Sequence, residues 1–92
     1  METKIKMVAA ATEVFSYKRK NPMAIHEEIF QHVSDYITES KIKDQKTKLA
    51  MIAAAGRAFE ISNKNPNLPE KEQVKIFVEE IPNILYNIQE EY

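Results

Sequence analysis

Lys4–Pro22 reads KIKMVAAATEVFSYKRKNP, and Lys48–Pro66 reads KLAMIAAAGRAFEISNKNP. Set 44 residues apart, the two stretches agree at nine of 19 positions: Lys4/Lys48, Met7/Met51, Ala9/Ala53, Ala10/Ala54, Ala11/Ala55, Phe15/Phe59, Lys20/Lys64, Asn21/Asn65 and Pro22/Pro66. Ile5/Leu49 and Val8/Ile52 are conservative exchanges. Shared alanines carry little information, whereas the shared phenylalanine and the closing Lys-Asn-Pro are harder to obtain by chance. We read the match as an internal repeat, spanning about 4–39 and 48–83 within one domain of residues 1–92. Both stretches are rich in Ala and nearly free of Gly until Asn-Pro interrupts them. Such a composition favours a helix that ends where the proline begins.

Extended to the flanking residues, each repeat predicts a helix, a break and a second helix. The expected spans are about 3–19, 22–39, 45–62 and 69–90, an all-α four-helix bundle made of two duplicated hairpins. Asn21 is expected to cap the second helix, with Pro22 at its first position, where a missing N–H costs nothing. Asp44 is the expected cap of the third helix. Apolar spacing nominates Ile5, Val8, Thr12 and Phe15 on the first helix, with Met7, Ala11 and Val14 beside them. It nominates Ile25, Ile29, Val33, Tyr36 and Ile37 on the second. Leu49, Ile52, Ala53, Gly56 and Phe59 form the expected inward stripe of the third. Val74, Phe77, Val78, Ile81, Ile84, Leu85 and Ile88 give the fourth helix the cleanest amphipathic pattern. Pro82 falls inside that pattern and predicts a kink near Ile81. Gly56 costs a helix about 1 kcal/mol relative to Ala, so a close approach of another helix is expected there.

Charge alternates with the repeat. Residues 1–22 carry +3, residues 23–40 carry −4, residues 41–66 carry +4 and residues 67–92 carry −4. Odd helices are basic and even helices acidic, which suits antiparallel neighbours within each hairpin. Exposed ion pairs contribute only about 0–1 kcal/mol each, so the alternation bears on pairing more than on stability. A two-helix repeat of this length also matches HEAT or armadillo units, but such arrays need three copies or more. A closed bundle fits two copies better.

The segment Glu60-Ile61-Ser62-Asn63, followed by Asn65-Pro66-Asn67-Leu68-Pro69, resembles a segment in a family of small archaeal helical-bundle proteins. The resemblance covers about ten residues, includes an extra residue in the loop and implies a helical bundle but no activity.

The 92 residues contain one Gly, four Pro and no Cys, and the net charge is −1. A single glycine argues against a hairpin-rich β fold and against a glycine-rich phosphate loop. The lack of Cys removes disulfides, thiolate metal sites and thiol nucleophiles, and fits a reducing compartment. No apolar run reaches the length of a membrane span, and no secretory leader is visible. The expected location is the cytoplasm, without membrane association.

The sequence supports no catalytic residues, cofactor or metal. His26 and His32 are six residues apart and diverge by about 120° on a helix, so they make a poor shared site. A metal-dependent enzyme built on His26, Glu28 and His32 is the alternative from a different class. Lys41, Lys43, Lys46 and Lys48 form a basic ladder, the candidate phosphate contacts of a nucleic-acid-binding alternative. The preferred reading is a non-enzymatic protein-interaction domain that associates with a protein partner or with itself as a homodimer. Tyr17, Met23 and Phe30, where the first helix passes into the second, are its candidate contacts, with Tyr92 a further large side chain off the inner stripes.

Overall fold

The computed structural model of the chain describes residues 2–91, with side chains described for 3–88. The chain forms four helices: α1 (Glu2–Lys20), α2 (His26–Glu39), α3 (Gln45–Lys64) and α4 (Glu70–Glu91). Among the described residues there is no strand. Tyr92 lies outside them.

The bundle is built around α1 and α3, which make the most extensive contact in the molecule. These two helices run parallel. The Thr3 and Thr47 hydroxyls approach to 3.4 Å at one end, and the Lys18 ammonium stands 5.5 Å from the Phe59 ring centroid toward the other. Met7, Ala10, Ala11 and Val14 of α1 and Met51, Ala54, Ala55 and Ala58 of α3 are completely buried. Alanine projects little beyond the backbone, so two alanine faces allow close helix approach with good dispersion contact. In an up-down-up-down bundle α1 and α3 stand diagonally. Here that diagonal is short, and α2 and α4 flank it, each touching both central helices and, among the described residues, neither touching the other.

Burial follows the offset of 44. Ile29, Val33 and Ile37 are the buried residues of α2, and Gln73, Phe77 and Ile81, each 44 positions on, are buried in α4. Phe15 and Phe77 are the largest fully buried side chains, and complete burial of such a ring stabilises by roughly 1.5–3 kcal/mol. Chain reversal repeats as well. The Asn21 backbone N–H donates to the Tyr17 carbonyl (2.8 Å) and that of Ala24 to the Asn21 carbonyl (2.9 Å). Asn65 and Leu68 make the same pair of bonds, to Ile61 and Asn65. Each Asn-Pro thus occupies the first two positions of a β-turn, where proline's fixed φ is favoured. Asn21 therefore terminates α1 and does not cap α2, and α2 begins at His26, four residues later than expected. The Glu28 carboxylate reaches back to accept from the Ile25 N–H at 3.0 Å. Asp44 caps α3 as expected, accepting from the Thr47 N–H (3.3 Å) and hydroxyl (2.7 Å).

Two further expectations are overturned. The stripe Leu49, Ile52, Ala53, Gly56 and Phe59 is not the buried side of α3; Ile52 is 44% exposed and the others are half-buried, with Phe59 packed against the edge of the core, and the buried side is Thr47, Ala50, Met51, Ala54, Ala55, Ala58, Ile61 and Ser62. At 3.6 residues per turn, Gly56 lies roughly opposite Ala54 and Ala58. A β-carbon added at Gly56 would meet only the Phe30 Cζ, at 3.6 Å, an ordinary contact. No helix presses on Gly56; the close approach is at the alanines. On α1, Ile5 is likewise outward, at 67% exposure. The physical reason is the same in both cases. Ranking by hydrophobicity selects the larger side chains, while a short helix–helix distance selects the small ones. Pro82 is exposed, and α4 runs through it as one element.

Candidate functional site

The outward face of α3 forms the floor of an open groove. Ala53, Gly56 and Phe59 line it along α3, His26 bounds it from α2, and Ile84, Asn87 and Ile88 bound it from α4. Its volume is about 670 Å³, within the range of small-molecule and side-chain binding clefts. Gly56 deepens the floor because nothing projects from it. The polar rim carries Arg57 and Glu60. Arg57 donates to Glu80 on α4 and, at 3.0 Å, to Glu60 one turn away. Hydrogen bonds to Glu80 and then Glu60 raise its pKa further above the ordinary guanidinium range, so it stays charged. This pairing ties α3 to α4 and leaves the apolar floor uncovered.

One end of the groove is aromatic. His26 lies 4.4 Å from the Phe30 ring centroid and meets Phe59 edge-on at 5.0 Å. Lys18 stands over the same Phe59 ring, with its ammonium donating to the Ala24 carbonyl at 3.4 Å. Cations are favoured over aromatic faces, so Phe59 is held from two sides.

The candidate contacts separate. Met23, in the α1–α2 turn, is 90% exposed. Phe30 is half-buried on the α3 side of α2, beside His26 and facing Gly56. Tyr17 is half-buried on the α1 side, stacked on His32 at 4.6 Å. Phe30 thus lies beside the groove, Tyr17 belongs to the α1–α2 contact, and Met23 is exposed in the turn between the two helices. His26, Glu28 and His32 do not converge either. His26 faces the phenylalanines, Glu28 caps α2, and His32 Nε2 is 2.9 Å from Glu13 Oε1 on α1. Among the described residues, no group of three or more His, Asp or Glu side chains gathers in metal-binding geometry.

The basic ladder divides in the same way. Lys41 and Lys43 join Lys6 of α1 around a second concavity at the N-terminal end of the bundle. Lys48 turns to a different hollow, with Ile37, Ile42 and Ile52, and Lys46 is exposed. Spacing along the chain does not reveal Lys6 as a member of this cluster, nor Ile84, Asn87 and Ile88 as a groove wall. A signal for the wall was present, since α4 continues past residue 83 while its repeat counterpart α2 stops at Glu39.

Comparison of the chain with protein-family profiles, curated proteins and solved structures yields no match. The short resemblance at Glu60–Pro69 therefore assigns no family. No described helix is long and apolar enough to cross a membrane.

Proposed function

We propose that the protein is a non-enzymatic helical interaction domain of the cytoplasm whose partner is a second copy of itself, joined through the α3 groove. The observation that carries this reading is the uncovered apolar floor of Ala53, Gly56 and Phe59 between two helical walls. Exposed Met23 and Ile25 extend the apolar surface along the chain segment leading into His26. Three further considerations favour a like partner. A net charge of −1 offers little long-range repulsion between copies. The groove rim carries both signs, so a two-fold contact can place opposite charges across it. Two-fold homodimers are also the commonest closed assembly.

Light scattering over a concentration series tests the reading. The mass is expected to rise from 10.7 kDa toward twice that value. Ala53→Arg, which puts a charge on the groove floor without touching the buried seam, is expected to restore the monomer. A constant 10.7 kDa at millimolar concentration would overturn self-association.

A further inference from the structure

The concavity at the opposite, N-terminal end of α1 and α3 has a different chemistry. It is lined by Thr3 and Lys6 of α1, by Ser40, Lys41, Ile42 and Lys43 of the α2–α3 linker, and by Asp44 and Thr47 at the start of α3, with a volume of about 740 Å³. We propose that this concavity binds a small, multiply charged phosphate-class oxyanion.

Three lysines reach it from two separate elements, one from α1 and two from the linker, so the tertiary fold brings them together. Lys41 sits in a left-handed backbone conformation (φ 54°), which is uncommon for a residue with a β-carbon. That turn holds Lys41 and Lys43 on the rim as the chain passes from α2 into α3. The parallel packing of α1 and α3 adds to this, because the positive ends of both helix dipoles come to the same end of the bundle. Among the described residues Asp44 is the one acidic side chain in the lining, and it is already engaged by the Thr47 hydroxyl and N–H. Its carboxyl is held below the usual range, first by that hydroxyl bond. Asp44 therefore faces the first turn of α3 and offsets one of the three cations.

The distribution of lysines selects the ligand's size. A nucleic-acid backbone needs cations along a continuous track. Here Lys48 turns to a different hollow, Lys46 stands outside the lining although its charge still acts on Asp44, and acidic α2 and α4 flank the central helices. A compact oxyanion engages Lys6, Lys41 and Lys43 at once without meeting the acidic surfaces. This site is separate from the α3 groove and does not depend on self-association.

The test uses inorganic pyrophosphate as the probe and the intact chain, with binding followed by calorimetry and by backbone amide shifts. Saturable 1:1 binding is expected, with shifts concentrated in residues 41–47. Lys6→Gln and the double variant Lys41→Gln/Lys43→Gln are expected to weaken binding about tenfold or more. Lys46→Gln/Lys48→Gln is expected to change it less than about twofold, and circular dichroism of each variant checks that the helices persist. No saturable binding, or equal losses in both double variants, would overturn the proposal. Binding of a single-stranded oligonucleotide that is tighter than that of pyrophosphate and weakened by all four linker and α3 lysine substitutions would also overturn it, in favour of a nucleic-acid surface.

Discussion

The two hairpins share one plan for burial and diverge beyond the core. Met7/Met51, Ala10/Ala54 and Ala11/Ala55 are buried alike, and so are the α2 and α4 residues 44 positions apart. After that point the chains part. Ser40, Lys41, Lys43 and Asp44 form the linker that leaves α2, whereas Ile84, Leu85, Asn87 and Ile88, at the same offsets, continue α4 as a helix. In the first hairpin these positions build a polar, basic concavity; in the second Ile84, Asn87 and Ile88 build the wall of an apolar groove. Thr12 and Gly56 are a second divergence. At Thr12 the hydroxyl donates to the Val8 carbonyl at 2.8 Å, while Gly56 has no side chain and only the Phe30 ring edge stands near it. The common core tolerates opposite surface chemistries because residues 44 positions apart share the inner face while the outer faces differ.

Substitutions in the core should have the greatest consequence. Phe77 and Val33 occupy equivalent buried positions. Phe77→Ala is expected to cost about 3–5 kcal/mol by urea unfolding, because the ring's transfer energy is lost and a cavity is left. Val33→Ala removes fewer buried carbons and is expected to cost less. Equal costs would mean that the two hairpins do not share the core as described.

A smaller effect separates the outer faces. Gly56→Ala is expected to stabilise the domain by about 1 kcal/mol, since the added methyl meets Phe30 at an ordinary distance and helix propensity improves. Thr12→Ala, at the equivalent position, is expected to gain less, about 0.5 kcal/mol. Thermal or urea unfolding of both variants checks the pair, and a destabilised Gly56→Ala would restore the idea of a close approach there.

The weakest effect lies at the junction. Asp44 caps α3, and its counterpart Ile88 has no capping role because α4 is continuous there. The folded carboxyl lies below its ordinary value of 3.8, through the Thr47 hydroxyl first. A depressed folded pKa contributes stability that is fully present above the unfolded value and lost as pH falls through the folded one. As the pH falls below that ordinary value of 3.8, melting of the native chain is therefore expected to fall slightly more steeply than that of Asp44→Asn. Parallel curves for the two proteins would show that the Asp44 cap adds no measurable stability.

Much of this architecture was legible in the residues. Asn21-Pro22 and Asn65-Pro66 mark where α1 and α3 end, Asp44 marks where α3 begins, and the spacing of Phe77 and Ile81 marks the inner side of α4, although Val78 of the same expected stripe is 46% exposed. What misled was the alanine seam. Leu49, Ile52 and Phe59 outrank Ala50, Ala54 and Ala58 on any hydrophobic scale, yet the alanines are inside because their partner is another alanine face. Nothing local to α3 announces that partner. The groove was hidden for the same reason, since a helix turned inside out conceals its outer surface. The lysine ladder was legible as composition but not as geometry. Lys41 and Lys48 are seven residues apart in one run of lysines, and helix periodicity together with the linker turn sends them to different hollows.

If the two hairpins share a core but the association surface is floored and walled by the second, with the segment leading into His26 at its edge, a dilution series followed by backbone amide shifts should show it. From millimolar to micromolar protein, shifts are expected to concentrate in residues 23–26, 53–60 and 84–88, with residues 9–16 and 40–44 unchanged. Shifts at the equivalent positions of the first hairpin, or no shifts in either, would contradict it.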